Sequence, residues 1–161
     1  MKTIIFFITI LLTGLSAGLF FAWSISVIVG TQKLGANTYL QTMQSINKEI
    51  LNPIFFIVFF GSLIALVINA IGHFDNKLHF WLILAAALFY GIGTFGVTVF
   101  GNVPLNNQLE ALDLGSLSKL ELSNFRSLYE SQWNHYHNIR TISAMIAFLL
   151  LLVTIFFQKT I

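Results

Sequence analysis

Residues 53–101 read PIFFIVFFGSLIALVINAIGHFDNKLHFWLILAAALFYGIGTFGVTVFG. Two apolar runs, each long enough to cross roughly 30 Å of hydrocarbon, are separated only by the polar octet GHFDNKLH, residues 72–79. So short a connection forces its two helices to lie antiparallel. The stretch therefore sets a membrane hairpin, and the rest of the chain supplies a run on either side of it. Counted from residues 4–29, 53–71, 80–101 and 139–157, the spans number four, and the sequence predicts an all-α, single-domain bundle of four transmembrane helices.

Composition agrees with lipid as the solvent. Of 161 residues 57% are hydrophobic and 9% charged, and the mean hydropathy is +0.83. Seventeen Phe, three Trp and four Tyr present more apolar surface than one soluble domain of this length can bury. Eight basic against six acidic side chains leave a formal charge of +2, too little to hold a nucleic acid. The absence of cysteine excludes disulfides, thiolate metal sites and a cysteine nucleophile. Lys2 before IIFFITILL could open a secretory signal, with Ser16 and Ala17 as small residues behind it, but the apolar run continues to Val29. Gly14 and Gly18 form a small-xxx-small pattern suited to close helix packing.

With four spans, both termini fall on the side of the short connection, and two longer polar segments, residues 30–52 and 102–138, fall on the other. In the first, Tyr39, Met43, Ile46 and Ile50 recur at helical spacing behind Asn37, a candidate cap. In the second, SKLE at residues 118–121 has the capping-box pattern, and Leu122, Phe125, Tyr129, Trp133 and Tyr136 continue one face straight into the fourth span. The second and fourth helices are thus expected to extend into a polar cap. Lys2, Lys77 and Lys159 stand densely on one side, while Lys33, Lys48, Lys119 and Arg126 are spread over longer segments, which predicts cytoplasmic termini. An integral position in a bacterial inner membrane is the expected location.

Threading the spans brings the unusual chemistry to one depth. Asn102 and Pro104 close the third span in FGNVPLNNQL, Asn52 and Pro53 open the second, His137 and Arg140 open the fourth, and Trp23 lies about two turns from the end of the first. Trp133, His137 and Arg140 follow i, i+4, i+7 and share a helix face. Tyr90, Thr94, Thr98 and Asn102 form a polar stripe that would be costly against lipid and should face inward. Asn47 and Asn106 add amides able to bond protein or ligand. Three uses of Arg140 remain open at this level: snorkelling to the headgroups with Trp133 as an interfacial anchor, neutralisation by Glu49, giving a structural ion pair, or service in a cavity. His73 and His79 read as exposed loop residues. His135 and His137 diverge on a helix, and with no HExxH or inward carboxylate–histidine pairs no metal centre is expected. Gly14, Gly18, Gly91 and Gly96 leave intrachain packing and homo-oligomerisation both open.

Four segments, FFAWSISVIVG, MQSINKEILNPIF, GTFGVTVFGNVPLNNQLEALD and WNHYHNIRT, resemble in order the DUF1772 or anthrone oxygenase-like family of small membrane proteins. The resemblance implies a four-span bundle whose Asn-Pro and Asn-Val-Pro-Leu-Asn elements define a shared pocket, here Asn47, Asn52, Pro53, Asn102, Pro104, Asn106 and Arg140. It also implies oxidation of a lipophilic aromatic or quinone-like molecule by molecular oxygen without a cofactor. The family pattern places a histidine two positions before the arginine, where this chain has Asn138, with His137 one further back. In such chemistry His137 and Arg140 would be the catalytic base and the oxyanion-holding cation, and Trp23, Asn47, Asn52, Tyr90, Asn102, Asn106 and Trp133 would contact the substrate. The other readings are a non-catalytic binder of a lipid or quinone, and a structural bundle with no pocket.

Overall fold

The computed structural model describes residues 2–157. Five helices account for most of them: α1 (Thr3–Thr31), α2 (Ala36–Glu49), α3 (Pro53–Gly72), α4 (Lys77–Glu110) and α5 (Lys119–Phe156). Four of these, α1, α3, α4 and α5, are long and apolar enough to cross a membrane. They pack as the expected bundle, and Lys159 and the Lys2 side chain fall outside the described residues.

Small residues set the interior of the membrane layer. Ala17, Ala86, Ala87, Ala144 and Ala147 are buried, which lets backbones approach closely where lipid supplies no hydrophobic drive between helices. Gly93 is the tightest example, for a Cβ there would stand 2.1 Å from Ser143 Oγ and 2.6 Å from Ser143 Cβ. Gly14 likewise faces the Phe148 ring, whereas nothing lies within 4 Å of a Cβ on Gly18. Large apolar side chains such as Ile54, Ile71, Ile92 and Phe100 point outward and are exposed, as a lipid-facing belt requires. Two buried polar groups bond across helices: Asn69 Nδ2 donates to Thr9 Oγ1 at 2.5 Å, and Tyr90 OH donates to Phe59 O at 3.1 Å beside Ser16 Oγ at 2.8 Å.

The polar cap differs from expectation in its parts. The fourth span does extend, as one unbroken 38-residue helix opened by the Ser118–Glu121 capping box. The second span does not. Asn52 accepts from Phe55 N–H at 3.0 Å and starts α3 afresh, so α2 is a separate helix. It is the third span that extends instead. A π-turn over Thr98–Asn102 carries the helix past Pro104, whose missing N–H is tolerated just after the change of winding, and α4 runs on to Glu110. The asparagines therefore do not end that helix. Asn37 is not the cap of α2 either, because Gly35 holds that position.

Within the cap, Tyr39, Leu40, Met43, Leu109, Leu122 and Tyr129 form a core of their own. Gln44 Nε2 donates to Leu109 O at 2.9 Å and Leu112 O at 3.2 Å, tying α2 to the end of α4. Arg126 bonds Glu130 and the carbonyls of Gln32 and Leu34, and its guanidinium lies 4.5 Å from the Tyr39 ring. At the opposite end of the bundle the two loop histidines are not both exposed. His79 is buried and stacks on His73 at 6.0 Å, because α4 begins at Lys77 and turns the ring onto its neighbour.

Candidate functional site

The polar stripe shows how the fold aims side chains at one place. An α-helix turns about 100° per residue, so a spacing of four overshoots by about 40° each step, and Tyr90 and Asn102 would end about 120° apart. The π-wound stretches Phe89–Gly96 and Thr98–Asn102 turn more slowly and remove that drift. All four stripe residues are buried as a result. A third π-stretch, Trp23–Val27, brings Trp23 and Ser24 to the same depth from α1.

A cavity of about 70 Å³ opens through a wider mouth between α1, the α2–α3 corner, α4 and α5. Trp23, Asn47, Asn102, Asn106, Trp133 and Arg140 line it, with apolar walls from Phe20, Ile46 and Phe55. Leu19, Leu51 and Val103 stand at its edge and are exposed, so its mouth faces the surroundings at the cap end of the spans. Two of the expected contacts are elsewhere. Asn52 spends its side chain on the start of α3 and on Glu49 O at 2.8 Å. Tyr90 is held deeper in the bundle by Ser16 and Phe59.

Arg140 is the centre of the arrangement. It is only 7% exposed, and its guanidinium carbon lies 4.7 Å from the Phe20 ring and 5.0 Å from the Trp133 ring. Among the described residues no carboxylate is in ion-pair reach of it: Glu110 pairs with Lys48, Glu130 with Arg126, and Glu49 is exposed. The Glu49–Arg140 pair is thus absent, for Glu49 ends α2 facing away. A buried cation with only rings for company costs several kcal/mol unless something compensates it.

Its polar partner is His137. Arg140 donates to His137 Nδ1 from Nε at 3.2 Å, with Nη2 at 3.0 Å from the same atom. A guanidinium can only donate, so Nδ1 accepts and the ring proton is on Nε2. That nitrogen lies 2.9 Å from Ser24 Oγ, which itself donates to Phe20 O. Trp133 stacks on the imidazole at 5.1 Å and 8°. His137 is fully buried, behind Arg140 and outside the cavity lining, while Asn138 is exposed. The imidazole in this geometry orients the guanidinium, with its lone pair occupied.

The amides form a scaffold around the indole. Trp133 Nε1 donates to Asn106 Oδ1 at 2.8 Å, Tyr129 OH to the same oxygen at 3.3 Å, and Asn47 Nδ2 to Tyr129 OH at 3.3 Å. Asn102 Nδ2 donates to Trp133 O at 3.1 Å, leaving its Oδ1 buried and without a partner. Phe20, Ser24 and Tyr129 are not among the site residues expected from the sequence. Phe20, Trp23 and Ser24 do fall at i, i+3, i+4, so a hydroxyl on the face of Trp23 was the available signal.

Against known proteins, a family model described as anthrone oxygenase matches residues 41–150. The matched region includes Asn47, Asn102, Asn106, Trp133, His137 and Arg140 and excludes α1, which brings Phe20, Trp23 and Ser24. No curated protein and no solved structure matches the chain.

Proposed function

The chain belongs to the anthrone oxygenase family, and on that premise we propose that its membrane cavity binds a lipophilic aromatic or quinone-like molecule through an electron-rich oxygen and promotes its cofactor-independent oxidation by molecular oxygen. The observation that carries this reading is the buried, carboxylate-free guanidinium of Arg140 on the cavity wall. An aryl ketone oxygen, becoming an oxyanion when its ring system loses a proton, supplies the missing charge at that point.

For an anthrone the balance is one CH₂ and one O₂ giving one C=O and one H₂O. Loss of a benzylic proton yields an anion delocalised onto the ketone oxygen. That anion reduces oxygen and combines with it at the same carbon, and loss of water from the resulting hydroperoxide leaves the second carbonyl. Arg140 would hold the oxyanion, while Trp23, Trp133 and Phe20 would cover the ring faces. His137, behind Arg140 and off the cavity lining, orients the guanidinium in this step, and the benzylic proton passes to a buffer base at the cavity mouth. Water is kept from the carbanion by the apolar walls.

The test is oxygen uptake on adding anthrone to the purified protein in nanodiscs, corrected for heat-inactivated protein. One O₂ per anthrone, lost in Arg140→Ala with the helical content intact, is the expected result. Equal uptake by both proteins overturns the reading. The occupied lone pair of His137 favours a second reading, a carrier that binds without turnover. It predicts saturable binding with no uptake above the control.

A further inference from the structure

We infer that Ser24, on the first span, is a positioning residue: it fixes which nitrogen of the His137 ring carries the proton, and through that ring it holds the Arg140 guanidinium at the cavity wall. The inference deepens, and rests on, the function proposed above.

The geometry is a chain of hydrogen bonds with one polarity. Arg140 stands at the start of the apolar part of its helix, where so long a side chain can swing out toward headgroups. Its Nε and Nη2, at 3.2 and 3.0 Å from His137 Nδ1, hold it inward. They do so only while Nδ1 is bare, because a guanidinium has nothing to accept with. A neutral ring with a bare Nδ1 carries its proton on Nε2, here in a fully buried side chain, and a buried N–H without an acceptor is costly. Ser24 Oγ, 2.9 Å away, is that acceptor, and its own proton is spent on Phe20 O at 3.1 Å. Were the hydroxyl to donate to Nε2 instead, the ring proton would move to Nδ1 and set N–H against N–H at the guanidinium.

The other neighbours of the ring do not choose between its nitrogens. Trp133 stacks on it at 5.1 Å and 8°, and Phe20 meets it edge-on at 6.2 Å and 77°, contacts that fix the plane and not the proton. Thr141 Oγ1 is 3.3 Å from Nε2, a longer and weaker acceptor, and gives its own proton to His137 O at 2.7 Å. Phe20 supports the arrangement twice, its carbonyl anchoring Ser24 and its ring lying 4.7 Å from the guanidinium carbon. Ser24 itself is off the cavity lining. The first span thus acts on the cavity's cation through the imidazole, without touching the ligand.

The test reads the ring proton directly. The chain has four histidines and two arginines, so nitrogen-15 labelling of these two residue types gives spectra that His137→Gln and Arg126→Lys assign. In the full wild-type chain in detergent micelles at neutral pH, His137 should be protonated on Nε2 and show a scalar coupling across the hydrogen bond between Nδ1 and an Arg140 nitrogen. Ser24→Ala should lose that coupling and bind anthraquinone, titrated calorimetrically in nanodiscs, about tenfold more weakly, the value of one buried hydrogen bond. Ser24→Thr, which keeps the oxygen, should restore the coupling and bring the affinity back to within about twofold. A folded Ser24→Ala that keeps either the coupling or the wild-type affinity overturns the inference, and so does a folded Ser24→Thr that behaves as Ser24→Ala does. If Ser24→Ala does not fold, Ser24→Cys takes its place with the same expectations, since its sulfur is a weak acceptor of nearly the same shape. A wild-type ring protonated on Nδ1 overturns the inference without any variant. Silence of anthraquinone on the wild-type protein overturns the proposed function instead, and the spectra alone then decide whether Ser24 positions the pair.

Discussion

At Arg140 stability and function pull in opposite directions. The guanidinium is surrounded by Phe20, Trp133 and an imidazole and has no carboxylate in reach, so an apolar residue of similar length breaks no ion pair there, though it strips the buried His137 Nδ1 of its donor. Arg140→Met is expected to unfold within about 2 kcal/mol of the wild type, the relief of burying no charge offsetting the imidazole nitrogen left without a donor, while losing binding of aryl ketones. Thermal unfolding in detergent beside calorimetry checks both halves, and a strongly destabilised variant would mark the arginine as a structural tie. Tyr39 gives a residue-scale prediction in the cap. Burial, followed by Glu130 and Tyr129, holds its phenol above the ordinary value despite Arg126. Because the unfolded chain ionises first, at about 10, stability should be constant below that pH and fall as pH rises through it. Tyr39→Phe should flatten the fall.

Among the elements, α4 carries the most information that spacing alone concealed. Its stripe was readable as inward-facing, and Tyr90, Thr94, Thr98 and Asn102 are all buried. What the spacing could not say is that two π-wound stretches keep it aligned, or that the helix passes through Pro104 to Glu110. Change of helical winding leaves no compositional mark, and an Asn-x-Pro sequence signals a helix end in most contexts. The same limit applied to Asn52, a cap in the structure, and to Glu49, which is exposed at the end of α2 and not beside Arg140. Close packing of α4 on α5 at Gly93 gives the element-scale prediction. Gly93→Ala forces a Cβ against Ser143 and should destabilise by about 1–3 kcal/mol. Adding Ser143→Gly should return part of the loss, about 1 kcal/mol of it being withheld by the extra glycine. A double-mutant cycle on thermal unfolding reads the coupling.

Over the whole molecule, four apolar runs and one short polar connection were enough to fix the bundle, because a lipid solvent leaves helices as the main solution for such runs. The cap was less legible, for its elements are ordinary amphipathic helices whose joints depend on single caps. Its link to the end of the first span runs through Arg126, which reaches Gln32 and Leu34 from α5 while held by Glu130. Arg126→Ala should leave the membrane layer intact and speed amide exchange in residues 30–35 about tenfold or more. Hydrogen-exchange mass spectrometry checks this, and uniform acceleration across all five helices would refute the separate roles assigned to cap and bundle.

The edge of the cavity, at Leu19, Leu51 and Val103, has a practical corollary. A hydrophobic guest arriving through such an edge is drawn from what is dissolved in the leaflet, so its governing quantity is a mole fraction among lipids and not a molarity in buffer. Apparent affinities expressed per volume of water should then shift in proportion to the amount of phospholipid in the sample. Values referred to the partitioned pool should coincide across preparations.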